Sequence, residues 1–202
     1  MAPVEYKLIK NFFSKEELNI LQKYCINKLD LADYALDPQS FSPAWYDDPL
    51  MNSVLNAKLS LVEEKSKLKL FPTCAYWRYY VFGGTLPKHL DRPSCEISVT
   101  ACMKKHDDWP IVVENTSFEL EEGDAVVYSG CVQKHWRPGV YKGEGMAQVF
   151  FHYVDKSGPF AHHAYDGYLK DTGHKASEQD RKELDEQRIA YKAKHYKSGR
   201  DS

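Results

Sequence analysis

An imidazole and a carboxylate stand two positions apart in the segment Tyr80-Val-Phe-Gly-Gly-Thr-Leu-Pro-Lys-His-Leu-Asp91. Side chains alternate between the two faces of an extended strand, so residues two apart point to the same side. His89 and Asp91 can therefore hold one metal ion together. A third ligand has to come from a distant part of the chain, and His135 is the best candidate.

A second His-x-Asp pattern competes with the first, and its surroundings separate the two. His106 lies in the polar run Lys104-Lys-His-Asp-Asp-Trp-Pro110, which is typical of a turn between strands. His89 instead precedes the β-rich run Ile97–Cys102. The alternative for the first pattern is a surface turn with a local hydrogen bond. The location of His135 favours the metal-site interpretation.

Composition limits the classes of protein and partner. The chain has 202 residues, enough for one domain with a sizeable core, and its net charge of −2 gives no reason to expect nucleic acid or an anionic membrane as a partner. Its five cysteines are odd in number and form no Cys-x-x-Cys pair, which indicates a reducing compartment. The first residues lack an apolar signal core, and no run is long enough to span a membrane. We therefore expect a cytoplasmic protein; its oligomeric state is not indicated.

The N-terminal third predicts helices and one irregular segment. Ser14 and Glu17 form a capping-box pattern, so a helix should run from there to about residue 27. A second helix is predicted over Met51–Leu68. Residues 30–50 contain several prolines and should be irregular. Their cluster around Trp45 is either a substrate loop or a packed surface loop.

From Phe71 onward the pattern becomes one of short strands, which is typical of a β-sandwich or barrel. The fold class predicted is mainly β with flanking helices: a jelly roll with the N-terminal helices packed on its sheet. Residues 1–160 would form this domain. Residues 161–202 would be a polar extension with a charged helix. The predicted strands are 73–82, 96–103, 109–113, 117–120, 125–128 and 146–155.

The order of these parts resembles the 2-oxoglutarate/Fe(II)-dependent oxygenase superfamily, in particular the prolyl-4-hydroxylase-like branch with its small phage and bacterial members. The resemblance covers about residues 70–156. It rests on Tyr80-x-x-Gly83, His89-Leu-Asp91, Gly123-Asp-Ala-Val-Val-Tyr128, His135 and Gln148-Val-Phe-Phe-His-Tyr-Val154. It implies a double-stranded β-helix, the cupin-like form of the jelly roll. The gap between Asp91 and His135 leaves room for the intervening strands of that fold.

The same resemblance implies the chemistry. His89, Asp91 and His135 would be the metal and catalytic ligands for Fe(II), because two imidazoles and one carboxylate leave one face of the ion open. The cosubstrates would be 2-oxoglutarate and O2, with ascorbate as a further candidate. The reaction would hydroxylate an unactivated C–H bond of a peptidyl, prolyl-type or small-molecule substrate and release succinate and CO2.

The cation that binds the far carboxylate of 2-oxoglutarate departs from the family pattern. Relatives often place Arg or Lys at the start of the last strand, whereas positions 144–147 here are Glu, Gly, Met and Ala. The nearest substitute is Arg137, which shares a strand face with His135. Lys142 is a weaker candidate on a loop. Gln148 would be a neutral helper, and Tyr80 occupies a position where relatives often supply a phenol.

Candidate substrate residues are Arg92, which follows the metal carboxylate directly, and Trp45. Arg92 could instead pair with Glu96 or Asp91, and His152 is either a second layer behind the metal or a core histidine. One rival function is a cupin-like metal-binding module that senses, isomerises or has a structural role without 2-oxoglutarate. Another is a catalytically silent jelly roll, which the intact ligand set argues against.

Overall fold

The computed structural model describes residues 4–31 and 34–166, which contain three α-helices and eleven strands. The helices are α1 (Lys15–Asp30), α2 (Pro49–Ala57) and α3 (Leu59–Ser66). The strands are β1 (Lys7–Ile9), β2 (Ala35–Asp37), β3 (Ser42–Tyr46), β4 (Leu70–Tyr80), β5 (Leu86–His89), β6 (Ile97–Lys105), β7 (Ile111–Val113), β8 (Thr116–Phe118), β9 (Ala125–Tyr128), β10 (His135–Arg137) and β11 (Met146–Asp155).

The strands form two antiparallel sheets. The larger sheet has seven strands in the order β1-β9-β6-β11-β4-β3-β2, and the smaller has four in the order β5-β10-β7-β8. Few spatial neighbours are consecutive in the chain, because the chain crosses from one sheet to the other as it proceeds. This is the arrangement of a jelly roll, and it confirms the predicted fold class.

Alternation along the long strands gives the larger sheet two different faces. The outer face carries Trp77 and Phe151, which pack in one buried cluster with Leu21 of α1 and Leu55 of α2. The inner face carries residues such as Tyr80 and Phe150. They pack in a second cluster with apolar residues of the smaller sheet, among them Leu86, Ile111 and Val113. The helices therefore cover one side of the large sheet, and the space between the two sheets is left for the site.

The first helix begins where the sequence predicts, whereas the second begins earlier than predicted and is divided in two. The capping box is present: Glu17 N donates to Ser14 Oγ (3.2 Å) and Ser14 N donates to Glu17 Oε2 (2.7 Å). The single helix predicted over residues 51–68 is two, because the chain turns at Lys58 between α2 and α3. Asp48 begins α2 earlier than predicted, since its carboxylate accepts from Leu50 N and Met51 N and Pro49 fits the first turn.

Residues 30–50 are more regular than predicted. β2 and β3 form a hairpin, and β3 adds it to the edge of β4, with Ala44 opposite Arg78 and Tyr46 opposite Tyr76. The prolines obscured these strands in the sequence, but an edge position tolerates proline. In the described chain, no helix is long and apolar enough to cross a membrane.

The described residues up to 166 belong to one compact unit. The charged helix predicted from Ser177 lies outside the described residues.

Candidate metal and cosubstrate site

The two histidines of the predicted ligand set meet through strand pairing. His89 ends β5 and His135 begins β10, and the two are direct cross-strand partners with ring centroids 4.2 Å apart. Each Nδ1 lies within hydrogen-bond distance of a carbonyl two residues earlier: Pro87 O at 2.8 Å and Gln133 O at 3.0 Å. Each ring therefore carries its proton on Nδ1 and presents the lone pair of Nε2 to the shared centre.

Asp91 completes the cluster from the segment just after β5. Its Oδ1 lies 3.6 Å from His89 Nε2 and 3.4 Å from His135 Nε2. One ligand atom from each of the three residues falls within 4.8 Å of the others. Metal–nitrogen and metal–oxygen bonds of about 2.0–2.2 Å require separations of this order between ligands. The predicted metal ligands are thus brought together.

The protonation of the three groups reflects their proximity. Burial lowers the pKa of His89 to about 4, helped by the charge of His135. Burial alone would lower the pKa of His135 too, but the hydrogen bond and charge of Asp91 raise it above its usual value. Burial would raise the pKa of Asp91, but its neighbouring histidines, His135 first, hold that pKa well below its usual range. At neutral pH, Asp91 is ionised and His89 is neutral, as metal binding requires.

A second layer fixes the carboxylate. Ser98 Oγ donates to Asp91 Oδ2 (2.8 Å) and lies 3.0 Å from His152 Nδ1 on β11. Behind the carboxylate, Gly130 leaves no room for a side chain, since a Cβ there would lie 2.3 Å from Asp91 Oδ2. His152 therefore contacts Asp91 indirectly, through Ser98. Of the two alternatives considered for His152, this corresponds to the second layer behind the metal ligands.

Arg137 lies on the same strand as His135, two residues further on, and is buried between the sheets. Its Nη1 donates to the carbonyl of Trp109, while Nε and Nη2 have no hydrogen-bond partner among the described residues. The guanidinium carbon is 5.4 Å from the ring centre of Trp109 and 5.8 Å from that of Tyr80. Burial lowers the pKa of Arg137. A buried cation with unused donors is suited to bind an anion.

Two further residues predicted for the cosubstrate lie in the same interior. Tyr80 is fully buried and faces Arg137. Gln148 on β11 is also buried, and its Oε1 has no hydrogen-bond partner among the described residues. Cys102, opposite Gln148 on β6, interacts with both Gln148 and Arg137. Lys142, the weaker cation candidate, is exposed on the loop before β11 and is not brought into this interior.

Similarity to known proteins is seen in the structure and not in the sequence. No family model and no curated protein matches the chain. A prolyl-4-hydroxylase from Pseudomonas putida is similar with a TM-score of 0.60 at 12% identity, over 75% of this chain and 93% of that chain. A viral collagen prolyl hydroxylase from Paramecium Bursaria Chlorella virus-1, in complex with 2-oxoglutarate, gives 0.56 at 12% identity, over 73% and 94%. HygX from Streptomyces hygroscopicus, with nickel and 2-oxoglutarate bound, gives 0.58 at 11% identity, over 76% and 84%.

The fold is that of the 2-oxoglutarate/Fe(II) oxygenases. These identities are low, so the likeness is one of fold, and at that level it confirms the resemblance drawn from the sequence.

Within this oxygenase fold, Arg78 is a buried cation that the sequence analysis missed. Its Nη1 donates to Tyr80 Oη (3.0 Å) and its Nη2 lies 3.4 Å from Asp37 Oδ2. Burial would raise the pKa of Asp37, but the charge of Arg78 and the hydrogen bonds of Ser40 lower it below its usual value. The available signal was alternation, because Tyr76, Arg78 and Tyr80 share one face of β4.

The structure does not bring Trp45 to the site. Trp45 is on the outer face of the large sheet, where it stacks on Trp77 with ring centres 3.8 Å apart and is 7% exposed. This corrects the expectation that Trp45 is a substrate-binding residue. The physical reason is strand alternation: in β3 the side chain of Trp45 faces the helices, and the next residue, Tyr46, faces the other way.

Tyr46, the residue after Trp45, lies beside Arg92. The Nη2 of Arg92 donates to the phenol of Tyr46 and lies 3.1 Å from Asp166 Oδ2. Its guanidinium carbon is 5.5 Å from the centre of the Tyr46 ring. Arg92 therefore pairs with neither Glu96 nor Asp91, the two structural partners considered for it.

Proposed function

We propose that this protein is an Fe(II)- and 2-oxoglutarate-dependent dioxygenase that hydroxylates an unactivated C–H bond. The observation that carries the proposal is that one short strand, β10, places His135 beside His89 and Asp91 and places the buried cation Arg137 two residues further on. A metal ion held by the three clustered residues and a dicarboxylate held by Arg137 would thereby be adjacent in the same interior.

The donor set fits Fe(II). Two neutral imidazoles and one carboxylate bind on one side of an ion and leave the other side open, which distinguishes this set from a closed structural zinc site. The backbone carbonyls that hold each Nδ1 keep His89 and His135 in the ligating tautomer. When bound, Fe(II) and 2-oxoglutarate supply the oxidising chemistry, and succinate and CO2 are released.

The donors around Arg137 fit the far carboxylate of 2-oxoglutarate. The unpaired Nε and Nη2 of Arg137 can bind both oxygens of one carboxylate. Tyr80 can donate its phenol proton to the same group, because Arg78 already occupies one of the phenol's acceptor positions. Gln148 can donate through its amide nitrogen. Loss of a buried charged pair of this kind costs roughly 2–5 kcal/mol.

The substrate is proposed only by class. The prolyl hydroxylases with a similar fold suggest a peptidyl substrate, while HygX and the nogalamycin epimerase SnoN (TM-score 0.63, 9% identity) keep small molecules open. Arg92 is proposed as a substrate-binding residue, because its side chain directly follows the metal carboxylate and is 40% exposed. The five cysteines are unpaired, which supports a reducing compartment such as the cytoplasm.

Succinate formation from 2-oxoglutarate tests the proposal. Protein loaded with Fe(II) is incubated with 2-oxoglutarate, O2 and a panel of prolyl peptides, free amino acids and small metabolites, with ascorbate present. We expect slow succinate release without substrate and faster release with a true substrate. The alternative, a cupin-like module that does not use 2-oxoglutarate, predicts metal binding with neither succinate formation nor 2-oxoglutarate binding.

A further inference from the structure

One carboxylate of the chain itself pairs with Arg92, the residue that follows the predicted metal ligand Asp91. Asp166, at the end of the described chain, places Oδ2 3.1 Å from Nη2 of Arg92, and its side chain is only 13% exposed. The segment that carries it is attached elsewhere: Tyr165 N donates to Pro72 O (2.8 Å) and the Tyr165 ring is 6.0 Å from Phe71. Arg92 thus binds a carboxylate that comes from outside the two sheets.

The backbone of Arg92 is fixed relative to the metal ligands. Asp91 N donates to Gly130 O (2.9 Å), and the carbonyl of Arg92 accepts from Cys95 N (2.8 Å) and from Cys131 Sγ (3.1 Å). The backbone from which the guanidinium extends is therefore fixed next to Asp91, which limits how far from Asp91 a bound group can lie. Such a constraint is what positions a substrate for reaction at the metal.

Aromatic rings continue from Arg92 into the space between the sheets. The Tyr46 ring is 6.0 Å from that of Tyr76, and Tyr76 stacks on Phe150 at 5.7 Å. All three lie on the inner face of the large sheet, on the side of the metal ligands. A molecule with a carboxylate on Arg92 and an apolar body would lie along these rings.

The contact with Asp166 is of a kind that a substrate can displace. The Arg92 side chain is 40% exposed, so water screens its ion pair with Asp166 and keeps that pair weak. Tyr46, which is 51% exposed, remains as a second partner of Arg92 when the carboxylate is exchanged. A substrate carboxylate that also gains contact with the aromatic rings would bind more strongly than Asp166 does.

From these contacts we propose that Arg92 and Tyr46 form a subsite for the carboxylate of the substrate, and that Asp166 occupies it when substrate is absent. The substrate class is a carboxylate-bearing molecule with an apolar or aromatic body next to the carbon that is oxidised. This assignment rests on the proposed oxygenase function, since it makes the bound molecule a substrate.

The test uses benzoate as a probe and benzamide as its uncharged match. Full-length protein is loaded with Zn(II) and saturated with N-oxalylglycine, an analogue of 2-oxoglutarate, so that the Arg137 site is filled. Binding is followed by NMR through the side-chain Nε–H signal of Arg92, which is identified by its loss in Arg92→Lys. Asp166→Asn should bind benzoate about two- to fivefold more tightly than wild type, the fold-change for an ion pair of about 0.4–1 kcal/mol.

Two controls make the outcome decisive. Asp108→Asn changes the net charge by the same amount at an exposed residue paired with Lys105, and should leave benzoate affinity unchanged. Arg92→Gln lacks the Nε–H signal, so its binding is followed through the ring signals of benzoate; it should abolish benzoate binding while keeping N-oxalylglycine binding. Equal benzoate affinity in wild type and Asp166→Asn, or benzoate binding retained in Arg92→Gln, would overturn the subsite. Failure of the wild type to bind N-oxalylglycine would instead contradict the proposed function, and the benzoate comparison would still report on Arg92.

Discussion

Tyr80 accepts a hydrogen bond of 3.0 Å from Nη1 of Arg78. An arginine can only donate, so the phenol keeps its own proton for a different acceptor. Arg137 also lies against the Tyr80 ring, 5.8 Å from its centre, and Asp37 offsets the charge of Arg78. The pair of Arg78 and Tyr80 therefore gives the interior a second oriented donor next to the unpaired Nε and Nη2 of Arg137.

This arrangement predicts that Arg78 acts on 2-oxoglutarate through Tyr80. Arg78→Met should weaken 2-oxoglutarate binding severalfold, because the phenol loses the partner that orients it. Tyr80→Phe should have a similar effect. The double variant should be little worse than either single one, since both remove the same hydrogen bond. Calorimetric titration of the Mn(II)-loaded wild type and variants with 2-oxoglutarate gives the four affinities of this double-mutant cycle. If the losses of binding free energy in the two single variants add up fully in the double variant, Arg78 does not act through Tyr80.

Arg137→Leu should weaken 2-oxoglutarate binding at least tenfold, because a charge-assisted pair in the interior is lost. Metal affinity should change little, since Arg137 contacts none of the three ligands in the described structure. Lys142→Leu is the matched control and should bind 2-oxoglutarate like wild type. The opposite pattern, with loss only in the Lys142 variant, would transfer the role to the loop.

Asp91→Ala should remove most of the affinity for Fe(II), because it deletes the only carboxylate of the ligand set. Asp108→Ala, in the second His-x-Asp pattern, should have no effect. Anaerobic Fe(II) titration measures both. Unchanged affinity in the Asp91 variant would rule out this metal site.

Gly130→Ala should disturb the metal site by steric contact. The added Cβ would lie 2.3 Å from Asp91 Oδ2 and 2.5 Å from Ser98 Oγ, so the carboxylate has to move. We expect a loss of metal affinity of about tenfold or more, comparable with the loss of an outer-shell partner. Gly139→Ala is the control: its Cβ meets no atom within 4 Å, but its φ of 63° strains an alanine, so it should lower stability by about 1 kcal/mol without changing metal affinity.

Metal binding should strengthen as the pH rises through the pKa of His135. In the metal-free protein, that pKa is raised above its usual value, so a proton competes with the metal. The stability that protonated His135 gives through Asp91 is complete below about pH 6.5 and is lost above the raised pKa. His89, with a pKa of about 4, releases no proton in this range. Zn(II) titrations should therefore show close to one proton released per ion bound at about pH 6, where a histidine of usual or raised pKa is largely protonated, and an affinity that rises with pH until His135 has lost its proton; an affinity that does not rise with pH would contradict the prediction.

The fold and the three candidate metal ligands could be predicted from the sequence because both depend on local patterns. Strand alternation placed His89 and Asp91 together, and the continuous, largely apolar run of β11 made its bounds, Met146–Asp155, readable directly. Arg137 was predicted as a cosubstrate residue from its strand face; it is buried between the sheets, and its role stays a prediction.

The parts that sequence reasoning missed depend on pairing between distant segments. The hairpin of β2 and β3 is held in place by the pairing of β3 with the edge of β4, which no local sequence pattern indicates. The face of the sheet on which Trp45 lies could therefore not be predicted, and Trp45 was wrongly expected near the substrate. Arg78 was overlooked because its partner Asp37 is supplied by that hairpin. Asp166 meets Arg92 from far along the chain, and no local pattern indicates that contact.

The position of β10 late in the chain also determines the order in which the candidate ligand residues are synthesised. His89 and Asp91 leave the ribosome well before His135, and two ligands alone hold a metal ion weakly. Because Arg137 follows His135 by two residues, the last metal ligand and the anion-binding cation emerge almost together. In the proposed function, the third metal ligand and the cation proposed for 2-oxoglutarate are therefore added to the chain at nearly the same moment of synthesis, so the two sites would be completed together.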